Sequence, residues 1–347
     1  MKRNMKAWIE ELRNAKRKKA LPLLSFPCVS LLGVPVATLI SDSELQAKGM
    51  KAVADHTAAA ASVSFMDLSV EAECFGAKIS VSADEVPTVI GRVINDPEDA
   101  DRLEIPRIGS ARTSIYIDAI RKASAQITDR PILAGIIGPF SLSARLIDVS
   151  EIMMDCYDEP EMVHTVLKKA TAFLIEYAKA YKEVGADGIV MAEPVAGLLS
   201  PTLEAEFSAP YIREIVSAVQ DDGFAVIYHN CGDNVPHMLE SIASTGAAAY
   251  HFGNSVEMEK DIISRLPESV TVMGNIDPVG VLRMGTPEAV RAETLSLLER
   301  CAGHPNFIIS SGCDIPPLTP WENIDAFFSA VDEFYNKRTE IVQNEGV

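Results

Sequence analysis

The chain has 347 residues, of which 48% are hydrophobic and 23% are charged, a balance typical of globular proteins and not of disordered chains. The formal net charge is −18, so the surface repels nucleic-acid backbones and anionic membranes, and neither is expected as a partner. Six scattered cysteines, with no apolar run of 18 residues and no signal peptide, predict a cytoplasmic protein with reduced thiols.

The N-terminal segment is basic, unlike the chain as a whole. Residues 1–19 carry eight basic and two acidic side chains, which leaves a net charge of −24 for the remainder. The segment lacks the apolar core of a signal peptide, and residues 6–18 place Trp8, Ile9 and Leu12 on one helical face. We therefore predict a solvated first helix with an apolar inner face.

A short apolar run followed by a loop and an amphipathic helix recurs along the chain. The runs are apolar on both faces, as is typical of parallel strands covered by helices. The candidate strands are residues 21–26, 64–70, 131–137, 187–192, 224–228, 247–250, 270–273 and 307–310. The clearest candidate helices are residues 43–62, 111–127, 160–184, 211–219 and 236–244. Residues 76–88 are predicted to form a small inserted hairpin.

Eight strands that alternate with helices indicate an α/β fold of the (β/α)8 TIM-barrel type. Residues 1–347 then form a single domain, in which residues 1–20 are an N-terminal helix outside the barrel. An open, doubly wound parallel sheet is the alternative architecture. The barrel predicts that catalytic groups follow the carboxyl ends of strands, at one mouth of the ring.

Polar and metal-binding residue types do follow the candidate strands. The residues in these positions are Glu71 and Glu73, Glu193, His229 to Gly232, His251 and Asn254, Asn275 to Pro278, and Gly312 to Asp314. This concentration at one predicted face indicates an enzyme. His251 could equally be a core histidine at a strand end.

Three of these residues form a set of metal ligands. His229 and Cys231 are two residues apart, so in extended chain both side chains point to the same side. Cys313 follows the eighth strand, which shares the ring with the fifth. One imidazole and two thiolates suit Zn²⁺, and three protein ligands leave one position open, as in catalytic zinc sites. Gly232 and Gly312 would let the backbone turn tightly beside the ion.

Two chemistries are compatible with an open zinc position. The ion can lower the pKa of a bound water for hydrolysis, or that of a bound thiol, whose thiolate is then a nucleophile at neutral pH. Glu193 ends a predicted buried strand, and it is a candidate catalytic residue, as general base or proton carrier, or a fourth ligand. The remaining cysteines (Cys28, Cys74, Cys156 and Cys301) are interpreted as core or incidental residues.

The chain resembles the uroporphyrinogen decarboxylase superfamily over roughly residues 5–335. The resemblance rests on HNCG at 229–232, MLESIAS at 238–244 and GNIDP at 274–278. Within that superfamily it resembles the zinc-dependent corrinoid methyltransferase branch, which includes the methylcobalamin:coenzyme M methyltransferases. That narrower resemblance rests on VEAECFGAKI at 70–79, EPVAGLLSP at 193–201 and SSGCDIPPLTPWENI at 310–324.

The resemblance implies a TIM barrel with zinc at its mouth, held by His229, Cys231 and Cys313. A small thiol, such as coenzyme M or homocysteine, would take a methyl group from a corrinoid (methylcobalamin) carried on a partner protein. The reverse direction is also open. A homodimer is expected, since dimers are common in the superfamily.

Four further residues follow candidate strands at the predicted mouth. Glu71 and Glu73 are candidates for hydrogen bonds to substrate or corrinoid, or they are solvated loop acids. Asn275 and Asp277 are candidates for cofactor binding, although such side chains often bond their own backbone and shape a loop.

The decarboxylase proper is the competing hypothesis, in which Asp67 acts as the catalytic residue without a metal. Asp67 lies where the decarboxylase keeps its aspartate, but residues 21–34 lack the arginine-rich motif that should bind the carboxylates of a porphyrinogen. The acidic balance of the chain also disfavours an eight-carboxylate substrate. A non-catalytic corrinoid- or tetrapyrrole-binding protein is a third hypothesis.

Overall fold

The computed structural model describes residues 2–345, with side chains described through residue 338. Seven parallel strands follow one another around a curled sheet in the order β1-β4-β5-β6-β7-β8-β9, and β2 and β3 form a separate antiparallel hairpin. The strands are β1 Ser62–Val63, β2 Lys78–Ser80, β3 Thr88–Ile90, β4 Ile132–Ile137, β5 Gly188–Ala192, β6 Ala225–Asn230, β7 Ala249–Phe252, β8 Val272–Ile276 and β9 Phe307–Ser311.

The ring is closed by an extended segment, residues 20–23, that lies between β9 and β1. The Leu21 amide donates to the Ile309 carbonyl of β9 (3.0 Å), and the Ala20 carbonyl accepts from the Ala60 amide just before β1 (2.8 Å). The hydroxyl of Ser310 donates to the Leu21 carbonyl at 2.7 Å. The fold is therefore a (β/α)8 TIM barrel, as predicted, and the open doubly wound alternative is wrong.

Helices surround the sheet and follow its strands. They are α1 Met5–Asn14, α2 Cys28–Leu32, α3 Val36–Leu39, α4 Ser43–His56, α5 Val70–Cys74, α6 Pro97–Arg102, α7 Thr113–Gln126, α8 Pro139–Ile147, α9 Val149–Asp158, α10 Pro160–Glu183, α11 Pro201–Phe207, α12 Ala209–Val219, α13 Val235–Ala243, α14 Pro287–Cys301 and α15 Trp321–Glu345. Short 3₁₀ or π-helical turns occupy Ala196–Leu198, Met258–Ile262, Ile263–Arg265 and Pro278–Arg283. None of the helices described has both the length and the apolar character needed to span a bilayer.

Two apolar layers fill the molecule. The larger one lies between the strands and the outer helices, and the smaller one fills the barrel interior. Helix α1 belongs to the interior layer, because Met5, Ile9 and Leu12 pack with inward-facing strand residues such as Leu133 and Ile227. The N-terminal helix thus covers the barrel end opposite the mouth, with Ile9 and Leu12 facing inward as predicted. It is shorter than predicted, because it ends at Asn14.

Two strand predictions at the start of the barrel are wrong in detail. Residues 21–26 do not form a regular strand, because serine hydroxyls take the place of backbone hydrogen-bond partners. The Leu23 amide, for example, donates to Ser311 Oγ at 3.0 Å. In place of the predicted strand at 64–70, the structure has a strand of two residues, Ser62–Val63. It ends there because Ser64 Oγ accepts the Gly135 amide (2.8 Å), and the chain then turns into α5. The predicted helix 43–62 is shorter than predicted, because it ends at His56 and Thr57 is extended.

Candidate metal centre

His229, Cys231 and Cys313 meet at the mouth of the barrel. One ligand atom from each lies within 4.8 Å of the others, and this is the single group of at least three acidic, histidine or cysteine side chains with such spacing among the described residues. Cys313 Sγ is 3.4 Å from His229 Nε2. The sequence-predicted ligands therefore come together, and their soft and borderline donors fit a Zn²⁺ ion with one position left open.

Strand geometry positions the first two ligands. His229 lies within β6, paired with Ala192 of β5 and His251 of β7, rather than after the strand as predicted. Cys231 follows two residues later on the same side of the extended chain. His229 is almost fully buried and Cys231 is partly exposed, so the cluster opens toward solvent on the thiol side.

Glycines allow the loops around the ligands to touch. A Cβ on Gly232 would collide with the Gly197 backbone, and a Cβ on Gly312 would lie 2.8 Å from the Asn254 amide. A Cβ on Gly253 would lie 2.6 Å from Cys231 Cα. The two glycines singled out in the sequence are needed for close backbone approach, and neither has a positive φ.

The two thiols interact with each other. Their mutual hydrogen bond lowers the pKa of Cys231, while the same bond, together with burial, raises the pKa of Cys313 to about 12. Binding of a divalent cation would require both thiols to lose their protons, as is usual when cysteine ligates zinc.

Glu193 directly follows β5, the neighbour of the strand that contains His229, and backbone amides hold its carboxylate. Its carboxylate oxygens accept hydrogen bonds from the amides of Phe140 and Ser141, both at 2.8 Å, in the first turn of α8. A Cβ on Gly138 would collide with this side chain. Burial raises its pKa to about 7. These contacts favour a carboxylate that caps the helix N-terminus, and a catalytic role for Glu193 stays a prediction.

Asp67 is the centre of a buried polar cluster. Its carboxylate accepts from the Ser69 amide (3.1 Å), the Ser69 hydroxyl (2.6 Å), the Tyr116 hydroxyl (2.8 Å) and the Arg112 guanidinium. Arg112 also donates to Glu73 at 2.6 Å. Both Asp67 oxygens are thus engaged within the protein. Sequence reasoning did not identify Arg112, whose contacts are 39 to 45 residues away along the chain.

Glu71 is buried beside this cluster. Its Oε1 accepts from the Ile137 amide at 3.1 Å, and its Oε2 has no hydrogen-bond partner. Burial raises the pKa of this carboxyl group to about 8. The alternative that Glu71 is a solvated loop acid is wrong, whereas Glu73 is partly exposed and is tied to Arg112. Binding of a substrate or corrinoid by either residue stays a prediction.

We expect Glu71 to make stability pH-dependent. Between pH 4.5, its usual pKa, and about 8, the folded protein holds a proton on Glu71 that the unfolded chain releases. The free energy of unfolding should therefore fall by about 1.4 kcal/mol per pH unit across this window from Glu71 alone. Glu71→Gln should remove that slope, which urea unfolding at pH 5.5 and 7.5 will measure. An unchanged slope would contradict the raised pKa.

Asn275 and Asp277 shape the loop that follows β8. Asn275 Nδ2 donates to the carbonyls of Gly253 (2.8 Å) and Val256 (2.9 Å), and Asp277 accepts from the amides of residues 279 and 280 at 2.9 Å. These bonds support the loop-shaping interpretation. Cofactor binding by the two residues stays a prediction.

His251 is the site residue whose contact the sequence did not reveal. It is fully buried, and its Nδ1 lies 2.7 Å from His229 Nδ1. Its Nε2 lies 2.7 Å from Ser310 Oγ. The alternation of inward and outward side chains in β6 and β7 could have suggested this contact. To find it, one would also have to know the register, which pairs residue 229 with residue 251.

Comparison with known proteins gives two groups of relatives. Methylcobamide:CoM methyltransferase MtbA from Methanosarcina acetivorans is 32% identical over 264 residues, which cover 74% of this chain and 75% of that protein. A uroporphyrinogen decarboxylase from Coxiella burnetii is 27% identical over 295 residues, which cover 82% of this chain and 80% of that protein. Both relatives are enzymes.

A solved structure agrees with the first group. A methyltransferase from Methanosarcina mazei superposes with a TM-score of 0.84 at 25% identity, covering 96% of this chain and 99% of that chain. The model of the uroporphyrinogen decarboxylase (URO-D) family matches residues 30–334, from α2 into α15. The chain therefore belongs to the uroporphyrinogen decarboxylase (URO-D) family.

Proposed function

We propose that this protein is a zinc-dependent methyltransferase that moves a methyl group between a corrinoid protein and a small thiol. The observation that carries the proposal is the cluster of one imidazole and two thiols at the barrel mouth, within 4.8 Å of one another. The methyltransferase relative and the similar methyltransferase structure support the same activity.

His229, Cys231 and Cys313 would hold the zinc ion, and the open position would accept the substrate thiol. When bound there, zinc acts as a Lewis acid that lowers the pKa of the thiol, so that no separate general base is needed. The protein holds the ligands on two strand ends of one ring. The partly exposed cysteines face the mouth, where a methyl donor can approach.

The transfer itself is a nucleophilic substitution. The thiolate sulfur would form a bond to the methyl carbon of the corrinoid substrate while the cobalt–carbon bond breaks, and the electron pair of that bond would stay with the corrinoid, which leaves in its two-electron-reduced cob(I)alamin form. The thiol proton leaves to solvent. This balance predicts one cob(I)alamin for each methylated thiol.

The mouth also offers a surface for a partner. Ten large hydrophobic side chains are exposed among the described residues. Eight of them lie between the carboxyl end of a barrel strand, or of the closing segment, and the outer helix that leads to the next barrel strand (after β9, α15). The eight are Leu31, Val81, Ile90, Ile105, Leu198, Val279, Met284 and Leu318. We propose that the corrinoid protein docks on this face, since the metal cluster is reached from it.

The decarboxylase alternative has weaker support. Asp67 accepts four hydrogen bonds from its own protein, including one from Arg112. A carboxylate with both oxygens occupied is poorly placed to exchange a proton with substrate. Residues 21–34 supply no arginine for substrate carboxylates.

The test is an anaerobic assay of the purified, zinc-loaded protein with methylcobalamin and either coenzyme M or homocysteine. We expect methylation of a thiol with matching formation of cob(I)alamin, and no coproporphyrinogen from uroporphyrinogen. Porphyrinogen turnover without thiol methylation would reverse the assignment. Corrinoid binding without either reaction would favour the non-catalytic alternative.

Three further expectations remain predictions: a cytoplasmic location, a single domain over residues 1–347 and a homodimer. The first is supported by the six cysteines, all of which are free.

A further inference from the structure

We propose that His251 and Ser310 are positioning residues that fix the proton of His229 on Nδ1 and so leave its Nε2 free to bind the metal. This inference rests on the proposed zinc site, but it concerns residues outside the ligand set. Sequence reasoning left His251 as a possible core histidine, and nothing in the proposed reaction uses Ser310.

The residues form one continuous chain of hydrogen bonds through the barrel interior. His229 Nδ1 lies 2.7 Å from His251 Nδ1, and His251 Nε2 lies 2.7 Å from Ser310 Oγ. Ser310 Oγ lies 2.7 Å from the carbonyl oxygen of Leu21, in the segment that closes the ring. The arrangement follows from the register, because His229 and His251 are paired neighbours on β6 and β7.

The Leu21 carbonyl, which is the last acceptor, sets the direction of every hydrogen bond in this series. The Leu21 carbonyl can only accept, so Ser310 donates its one hydroxyl proton to it. Ser310 Oγ then accepts from His251 Nε2–H. With its proton on Nε2, neutral His251 presents an unprotonated Nδ1, which accepts from His229 Nδ1–H.

A second contact requires the same proton position. His229 Nδ1 also lies 3.3 Å from the backbone carbonyl of His251, which can only accept a hydrogen bond. His251 is completely buried, where an unpaired positive charge is costly, so its neutral ring is favoured. The lone pair of His229 is then on Nε2, the atom that lies 3.4 Å from Cys313 Sγ.

This arrangement predicts that His251 affects the affinity of the site for its metal, which a residue that only packs in the core would not do. A ligating histidine with a fixed tautomer and ring orientation binds its metal more tightly, and changes in such supporting residues typically cost about 10–100-fold in metal affinity. A histidine that only fills space could be replaced by an apolar residue of similar size with no effect on the metal.

The experiment measures the dissociation constant for Zn²⁺ by competition with a chromophoric chelator. The variants are His251→Leu, which removes the acceptor, His251→Asn, whose amide oxygen can replace Nδ1, and Ser310→Ala. His237→Leu is the matched control, because His237 is exposed on α13. We expect affinity to fall about 10–100-fold in His251→Leu, less in Ser310→Ala, and to be largely restored in His251→Asn. Equal affinity of His251→Leu and the parent, or equal losses in the leucine and asparagine variants, would overturn the proposal.

A second measurement uses the metal-free parent protein. Nitrogen-15 NMR of the histidine rings should show His229 with its proton on Nδ1 and His251 with its proton on Nε2. The opposite assignment would also overturn the proposal. Because this readout needs neither zinc nor activity, it separates failure of the hydrogen-bond chain from failure of the proposed function, which would appear as a parent that does not bind zinc.

Discussion

Replacing Cys313 by serine is expected to remove both zinc binding and methyl transfer. Cys313 is one of three ligands, and its sulfur lies 3.4 Å from His229 Nε2. A hydroxyl is not deprotonated at neutral pH as a zinc-bound thiol is, so the site loses a negatively charged donor. We expect a loss of more than about 100-fold in zinc affinity, because substitution of a residue that only hydrogen-bonds to a metal ligand already costs about 10–100-fold.

The measurements are zinc content after dialysis and the rate of thiol methylation from methylcobalamin. Cys74→Ser is the matched control, since Cys74 is also partly exposed but lies outside the cluster. It should retain both properties. If Cys313→Ser kept parental activity with an empty metal site, the cluster would not be the catalytic centre.

Arg112→Met is expected to destabilise the protein by about 3–5 kcal/mol, the usual cost of breaking a buried ion pair by removing one partner. Arg112 donates to Asp67, Glu73 and the Ser69 hydroxyl, and the Asp67 side chain is completely shielded from solvent. Removing the guanidinium leaves a buried carboxylate without its counter-charge.

Urea unfolding of the purified variant will measure this change. Arg121→Met is the matched control, because Arg121 forms an exposed pair with Asp118 on α7 and should cost at most about 1 kcal/mol. Adding Asp67→Asn to Arg112→Met should recover part of the lost stability while methyl transfer persists. Loss of methyl transfer with Asp67→Asn in a stable protein would instead give Asp67 a catalytic role.

The barrel was predictable because its strands are buried on both faces. Runs such as residues 187–192 and 307–310 are apolar throughout, and the structure places strands at Gly188–Ala192 and Phe307–Ser311. The first strand was not predictable in detail. Its hydrogen bonds go partly to the hydroxyls of Ser310 and Ser311, which pattern analysis treats as ordinary strand residues.

The ligand set was predictable because each member lies near or just beyond the carboxyl end of a strand. The spacing of His229 and Cys231 required only local geometry, and Cys313 required only ring closure. His251 and Arg112 required more: the register between β6 and β7 in one case, and a side chain that reaches across from the start of α7 in the other. Such contacts depend on tertiary packing that no local pattern encodes.

Glu193 is a residue whose sequence position indicated one role and whose contacts favour another. A glutamate after a buried strand has the position of a catalytic residue, but its carboxylate accepts two backbone amides at the start of α8. Position along the chain could not distinguish a helix-capping carboxylate from a proton carrier. The contacts at the helix terminus favour the capping interpretation, and a catalytic role for Glu193 stays a prediction.

The most direct test of the account is zinc X-ray absorption of the protein before and after addition of a substrate thiol. With His229, Cys231 and Cys313 as ligands, the spectrum should show two sulfur neighbours at about 2.3 Å in the free protein and three once the thiol is bound. A sulfur count that stays at two in the presence of a thiol that is being methylated would contradict thiol activation at the open position.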